Sequence, residues 1–487
     1  MAFSEIGPKG PAITIPLTSP GSRHKVVSFF RLPETLRTLT SAEGAGQGNC
    51  GNQIFKINAA SDLRVMPYAA GRGNPVPVAP ATSFSANQFR GLAYSFRLVV
   101  GGTSYQCELN PVGGASIAGA TGAITGYLRK HLSTGVYPSF RNYATPATIL
   151  NQSATGTVLV KSIGHQYGMA VSQMMYSHAD EANFISTQAI NSQDPGTDFT
   201  STAAPGATGT GRAPVTAVLG IPASASHRTV LAIGDSITAG YGDSSSYNAN
   251  FGSMARGPIG RAMAGLSDDG YSVGLINLGT DGLTLANLVC LDTNTNAADY
   301  RPDILGLVEN AIPISTCIMY GLGTNDASAS DAVLIQRVEA LGVWLRKKCI
   351  ELGYPSMKIA YRTPPPVTQL SVARAAAVGI TISSASDWAG LIAAVPSATN
   401  YANIQTITSA HTKMATLTTA ALASSVLSAN SISVYNTSTS DGYVTNATSE
   451  RVFTGVGGYG TSDGTHPNNV SNEAEAPALK AFILANL

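Results

Sequence analysis

The C-terminal half of this chain predicts an α/β domain built on a parallel sheet, and the N-terminal half predicts a β-rich domain ahead of it. Three observations carry that reading. From about residue 226, short apolar runs alternate with helical patterns. Those runs end in loops rich in Gly, Asn and Asp. Before about residue 225 the apolar runs are β-prone and separated by Gly/Pro clusters.

In the second half, "TVLAIG" reads as a buried strand, "MARGPIGRAMAGL" as a helix and "SVGLINLG" as a second strand. "ISTCIMYGLG" is a third strand. "ASDAVLIQRVEALGVWLRKKCIELG" is an amphipathic helix with Lys and Arg toward its C-terminal end, where they complement the helix dipole. "MKIAYRTPPP" is a strand stopped by prolines, and "ANIQTITSAHTKMATLTTAALASSV" reads as one further helix. Strands alternating with helices imply a parallel sheet with helices on both faces and ligands at the carboxyl ends of its strands.

In the first half, "AITIPL", "HKVVSFFRL", "QIFKINA", "LAYSFRLVV", "TSYQCELN" and "GTVLVKSIG" read as short strands of a sandwich or barrel-like region. "HQYGMAVSQMMYSHADEANFI" reads as a helix within it. Residues 191–214 have the composition of a linker, so the expected domains are 1–225 and 226–487.

Composition narrows the function. Charged residues make up 12% of 487 residues and the net charge is +1. That low, balanced charge gives no electrostatic case for nucleic acid or an anionic membrane. Apolar runs stay well short of the roughly 18 residues a membrane span needs. The first residues lack a basic stretch followed by an apolar core, so no signal peptide is expected. Five cysteines without a CxxC pair argue against metal ligation; Cys317 reads as a packed hydrophobe, and Cys50 with Cys107 is a candidate disulfide. His24, His131, His165, His178, His227 and His411 show no ligand spacing, and neither a metal nor a cofactor is expected.

Four loops carry chemistry-bearing residues. In "VLAIGDSITAGYG", Ser236 directly follows a strand, where a serine is either a nucleophile or an ordinary turn or N-cap residue. In "DGTHPNN", Asp463 lies three residues before His466, close enough for the carboxylate to reach Nδ1 and leave Nε2 to take a serine proton. "INLGTDG" places Gly279 after a strand, where backbone can approach a substrate closely. "YGLGTNDA" places Asn325 after another, with an amide able to donate to an oxyanion.

Taken in order, "GDSITAGYG", "INLGTDG", "GLGTND" and "DGTHPN" resemble blocks I, II, III and V of the SGNH hydrolase superfamily, the GDSL-type esterases and lipases. Ile237 replaces the fourth residue of the GDSL signature, outside the chemistry. The resemblance covers about residues 228–487 and none of the first 225. It implies a three-layer α/β/α domain with Ser236 as nucleophile, His466 as general base and acid, and Asp463 orienting it. It implies oxyanion donors at Ser236, Gly279 and Asn325, and a structural role for Asp235. The long gap from Asn325 to His466 implies an insertion at about 365–460. Tyr361, Trp388 and Tyr459 read as packing residues before subsite residues.

The expected activity is hydrolysis of short-chain acyl esters, with acylated carbohydrate as the expected partner and O-acetyl groups on a polysaccharide as the leading substrate. The N-terminal domain is then a glycan-binding or assembly module, consistent with a homo-oligomer. The expected location is extracellular or on a virion, with the cytoplasm left open. The alternative is a structural virion or cell-surface assembly protein that carries an esterase module.

Overall fold

The computed structural model describes residues 23–32, 35–38, 48–68, 92–110, 143–146, 154–166, 174–177, 185–190, 215–243, 252–289 and 302–487. Its N-terminal strands are β1 (Lys25–Val26), β2 (Phe29–Arg31), β3 (Thr35–Thr38), β4 (Gly48–Tyr68), β5 (Leu92–Val100), β6 (Thr103–Asn110), β7 (Tyr143–Pro146), β8 (Ala154–Gln166), β9 (Met174–Ser177), β10 (Ile185–Ile190) and β11 (Val215–Pro222). Eight of them, all but β2, β3 and β9, form an antiparallel sheet. Phe55 and Ile57 of β4 are buried while Lys56 between them is partly exposed, the period-two alternation of a one-faced strand. They meet Leu63, Val65, Leu98, Val158 and Val218 in a small core. β4 pairs with β8 over Gly48–Ala60 and, on its other edge, with β11 over Ala60–Tyr68, and a register shift between Ile57 and Ala60 interrupts the β8 ladder.

The described residues of the helix expected over 165–185 lie in strands instead. His165 and Gln166 end β8, Met174–Ser177 is β9, and Ile185 opens β10. Pairing of β9 with β3 and of β10 with β4 overrides the weak helical spacing. The expected strand "AITIPL", the linker at 191–214 and the side chains of Cys50 and Cys107 lie outside the described residues.

The second half carries β12 (Arg228–Gly234), β13 (Val273–Gly279), β14 (Cys317–Gly321), β15 (Lys358–Arg362), β16 (Thr368–Leu370), β17 (Gln405–Ile407), β18 (Ile432–Tyr435), β19 (Tyr443–Thr445) and β20 (Arg451–Phe453). A six-stranded parallel sheet runs in the order β18-β15-β14-β12-β13-β2. Every residue of β13 and β14 is buried, as a sheet covered on both faces requires. Helices flank it. Gly257–Asp268 packs with Asn469–Asn486, and Asp331–Glu351 packs with Leu285–Leu288, Ser409–Leu422 and Ser425–Ala429. This is the SGNH-type α/β/α arrangement.

Two expected boundaries shift. The sixth strand, β2, comes from the N-terminal region and pairs with β13 through Phe29–Leu275 and Phe30–Ile276. Thr229 Oγ1 donates to Val26 O at 2.8 Å. A side chain at Gly274 would collide with that same carbonyl, at 1.9 Å from its Cβ. A break at residue 225 therefore cuts through one sheet. The stretch 365–460 is also not one insertion. Met414, Leu417, Ala421, Leu427 and Ile432 return to the main core. The remainder builds a satellite core of Leu370, Trp388, Leu391, Tyr401, Tyr443 and Phe453. The single helix expected over 402–426 is broken by β17, and Thr408 and Ser424 each cap a new helix with a side-chain oxygen.

Phe30 is fully buried in the main core although it belongs to the N-terminal region. Phe30→Ala is expected to cost the α/β half about 3–5 kcal/mol. Denaturant unfolding followed by tryptophan fluorescence reads it, since Trp344 and Trp388 are the chain's two tryptophans and both lie in that half. An unchanged midpoint would show that β2 is dispensable to that half.

Candidate active site

The site sits where the sheet changes direction. β12 connects to β13 on one side, while its other neighbour, β14, connects to β15 on the opposite side, so the connections diverge between β12 and β14 and open a crevice there. Gly234 ends β12 in register with Gly279 on β13 and Gly321 on β14. A Cβ on Gly234 would stand 2.0 Å from Thr238 Oγ1, and one on Gly279 would stand 2.2 Å from Ala239 N. These two glycines let the short helix Ser236–Ala239 lie directly on the strand ends.

Asp235 caps that helix, its Oδ1 accepting from Ile237 N at 3.0 Å. Asn277 Nδ2 donates to Thr238 O at 2.7 Å and ties the helix down from β13. Gly240, at φ 82°, ends it. Ser236 occupies the first helical position, where its N–H has no preceding turn to bond.

The chain's far end meets this turn. Ser236 Oγ lies 2.8 Å from His466 Nε2, and His466 Nδ1 lies 2.6 Å from Asp463 Oδ2. The other carboxylate oxygen of Asp463 accepts from the N–H groups of Thr465 and His466, both at 2.8 Å. Burial alone would raise the Asp463 pKa. The His466 ring and those two N–H groups outweigh it and hold the carboxyl at about 2. Asp463 is thus a carboxylate at any ordinary pH, which favours the Nδ1 proton toward it and leaves Nε2 facing Ser236 Oγ as an acceptor. The sequence had separated these residues by 230 positions; the fold brings all three together.

The expected oxyanion donors divide. Asn325 Nδ2 donates to Leu283 O at 3.2 Å, which leaves its second amide hydrogen for another acceptor. Asp326, beside it, accepts from Leu285 N at 2.8 Å and so holds the same loop. Gly279 departs from expectation. Its N–H donates to Asn277 Oδ1 at 2.9 Å inside the protein, and its Cα faces Ala239. That amide is committed and is not aimed at a substrate. Three residues on, Gly282 lies exposed in a turn closed by Leu283 N donating to Thr280 O, with φ at 68°. That positive φ is a conformation that favours glycine at this position.

Of the aromatic candidates, Tyr361 and Trp388 are buried core residues, and Tyr459 packs on Tyr401. The aromatic ring beside the imidazole is Tyr241, 53% exposed, its centroid 4.7 Å from that of His466. Among the described residues no helix is long and apolar enough to cross a membrane.

Asp235 sets a pH dependence of stability. Its side chain is buried, and burial pushes its carboxyl up to about 6, against the opposing pull of the Ile237 N–H and of the His466 and Arg362 charges. An unfolded Asp titrates near 3.9 (an approximate reference value). Between the two values the folded chain holds the proton more tightly than the unfolded chain, so stability falls as pH rises from about 4 to 6. Asp235→Asn keeps an oxygen for Ile237 N–H but cannot ionise. The variant should gain on the order of 2 kcal/mol over the native chain on going from pH 4.5 to 7.5, read by denaturation at both values.

A GDSL-like lipase/acylhydrolase family model matches residues 230–479, just over half of the chain. No curated protein matches. Solved structures similar to this chain include the inhibitor-bound aryl esterase of M. smegmatis, at 18% identity, covering 53% of this chain and 100% of that one with a TM-score of 0.34. The carbohydrate acetylesterase Est24 of Sinorhizobium meliloti stands at 16% identity, 53% and 100% coverage and a TM-score of 0.32. A putative arylesterase of Agrobacterium tumefaciens stands at 17%, 53% and 100%, and 0.32. With its motif residues gathered at one sheet edge and the family model spanning them, the chain belongs to the GDSL-like lipase/acylhydrolase family.

Proposed function

We propose that this protein is a serine esterase that removes short acyl groups, O-acetyl above all, from a polysaccharide, with Ser236, His466 and Asp463 as its triad. The observation that carries the proposal is the unbroken pair of contacts, Ser236 Oγ to His466 Nε2 at 2.8 Å and His466 Nδ1 to Asp463 at 2.6 Å.

In this reading Nε2 takes the Ser236 proton as Oγ attacks the ester carbonyl carbon. The carbonyl oxygen becomes an oxyanion, received by the Ser236 N–H, the Gly282 N–H and the second hydrogen of Asn325 Nδ2. Collapse expels the sugar oxygen, which leaves with the proton from His466. Water then repeats the sequence on the acyl-serine, releasing the acid and restoring Ser236. Asp463 stays ionised throughout and stabilises the imidazolium that forms twice.

Two features favour a carbohydrate carrier. Tyr241 presents a half-exposed aromatic ring next to His466, on the side where the leaving group must collect its proton, and a sugar's C–H face packs well on such a ring. The surrounding protein has few charges and an antiparallel sheet joined to the catalytic one, as suits an accessory surface for a neutral polymer.

A p-nitrophenyl ester series from acetate to palmitate should favour acetate or butyrate. Ser236→Ala should lower kcat by at least about 10⁴-fold; undiminished turnover in that variant would end the proposal. Acetylated xylan or pectin should release acetate, measured directly. Tyr241→Ala should raise KM for acetylated oligosaccharides by about 2–10-fold.

A further inference from the structure

The catalytic carboxylate is poorly protected from water. The Asp463 side chain is 43% exposed and that of His466 is 20% exposed. A hydrogen bond in such a place gains little from a low dielectric, so its geometry must be imposed from behind. The residues behind it belong to the satellite core rather than to the six-stranded sheet.

Tyr401 is fully buried in that core, between Trp388 and Tyr459. Its hydroxyl donates to Thr461 O at 2.8 Å and accepts from Thr461 N at 3.1 Å. Both backbone groups of one residue are therefore held by one oxygen. Thr461 is itself fully buried. Its Oγ1 accepts from Gly464 N at 3.0 Å and from Asp463 N at 3.3 Å, and lies 3.3 Å from Asp463 Oδ1, to which it can donate. The turn is gripped again at Gly464, whose carbonyl accepts from Thr368 N at 2.8 Å and whose Cα faces Thr368 O and Trp388.

We propose that Tyr401 is a positioning residue of the esterase: its hydroxyl fixes Thr461, and Thr461 aims the Asp463 carboxylate at His466. The satellite core is then part of the catalytic apparatus. This rests on the triad reading above, and Tyr401 itself touches no reacting atom.

The test compares Tyr401→Phe, Thr461→Val and Thr461→Ser with the native chain on p-nitrophenyl acetate, each checked for native circular dichroism. Tyr401→Phe keeps the ring and removes one oxygen. It should lower kcat by about 10–100-fold with KM within about twofold, because misaligning the carboxylate acts on the chemical step. Thr461→Val should lose as much, and Thr461→Ser, which restores the hydroxyl, should recover most of it. The double variant Tyr401→Phe/Thr461→Val should be no worse than Thr461→Val alone, since both act through one contact chain. If Tyr401→Phe fails to fold, the contrast between valine and serine at position 461 decides. Native kcat in folded Tyr401→Phe, equal rates for valine and serine, or multiplying losses in the double variant would each overturn the proposal. Ser236→Ala separates the two failures: if it abolishes turnover while Tyr401→Phe changes nothing, the triad stands and only the role of Tyr401 falls.

Discussion

Everything at the site depends on how closely one short helix can approach the ends of three strands. Gly234, Gly279 and Gly321 stand side by side at the carboxyl end of the sheet. At Gly234 and Gly279 the helix Ser236–Ala239 occupies the space a Cβ would need. Bulk at either would lift Ser236 off the sheet. Asn277 and Asp235 then lock what the glycines permit, one to the helix's Thr238 carbonyl and one to its Ile237 N–H. The position of Ser236 is thus set by backbone proximity first and by side-chain hydrogen bonds second.

The imidazole facing Ser236 has no such sheet to rest on. His466 lies in a turn more than two hundred residues later, and that turn is anchored from both flanks. On one flank Asn472 Nδ2 donates to Pro467 O and to Asp243 Oδ2, while Arg261 Nε donates to the same Asp243 oxygen. On the other stand Tyr401 and Thr461. Asp243 lies seven residues after Ser236, just beyond its helix, so the first flank ties the His466 turn to the Ser236 segment through a buried ion pair with Arg261. The second flank ties that turn to the satellite core. Between them, the imidazole is fixed against the serine while its outer edge stays open beside Tyr241.

The sequence made the parallel sheet legible because buried parallel strands are continuous apolar runs, followed by Gly-rich loops after β12, β13 and β14 and by prolines after β15. Ser236, Asp463 and His466 stood out in the sequence for a different reason: the roles proposed for them demand fixed residue types in short turns. Gly279 misled because two glycines share one loop, and only the hydrogen bond from its N–H to Asn277 shows that the first of them is committed inside the protein. Tyr401 and Thr461 carry no sequence signal, since a tyrosine bonded to backbone sixty residues away looks like any core tyrosine. The broken helix around β17 failed for want of a rule strong enough to overrule periodicity. Capping by Thr408 and Ser424 was written in the sequence but competes with their ordinary occurrence inside helices.

The strand β2 could not be assigned from the sequence by any local argument. "VVSFFRL" is as good a strand for an antiparallel sandwich as for the edge of a parallel sheet. What decides is the partner. β13 is buried on both faces, and its outer edge would expose unpaired N–H and C=O groups if nothing lay beside it. β2 supplies the pairing, Val26 supplies a carbonyl to Thr229, and Lys25 reaches across to donate to the carbonyls of Pro313 and Ser315. Burial lowers the Lys25 pKa to about 8. The region before residue 225 therefore both carries its own antiparallel sheet and seals the edge of the catalytic one. The strand it seals is the one whose far end, at Asn277, holds the nucleophile helix in place.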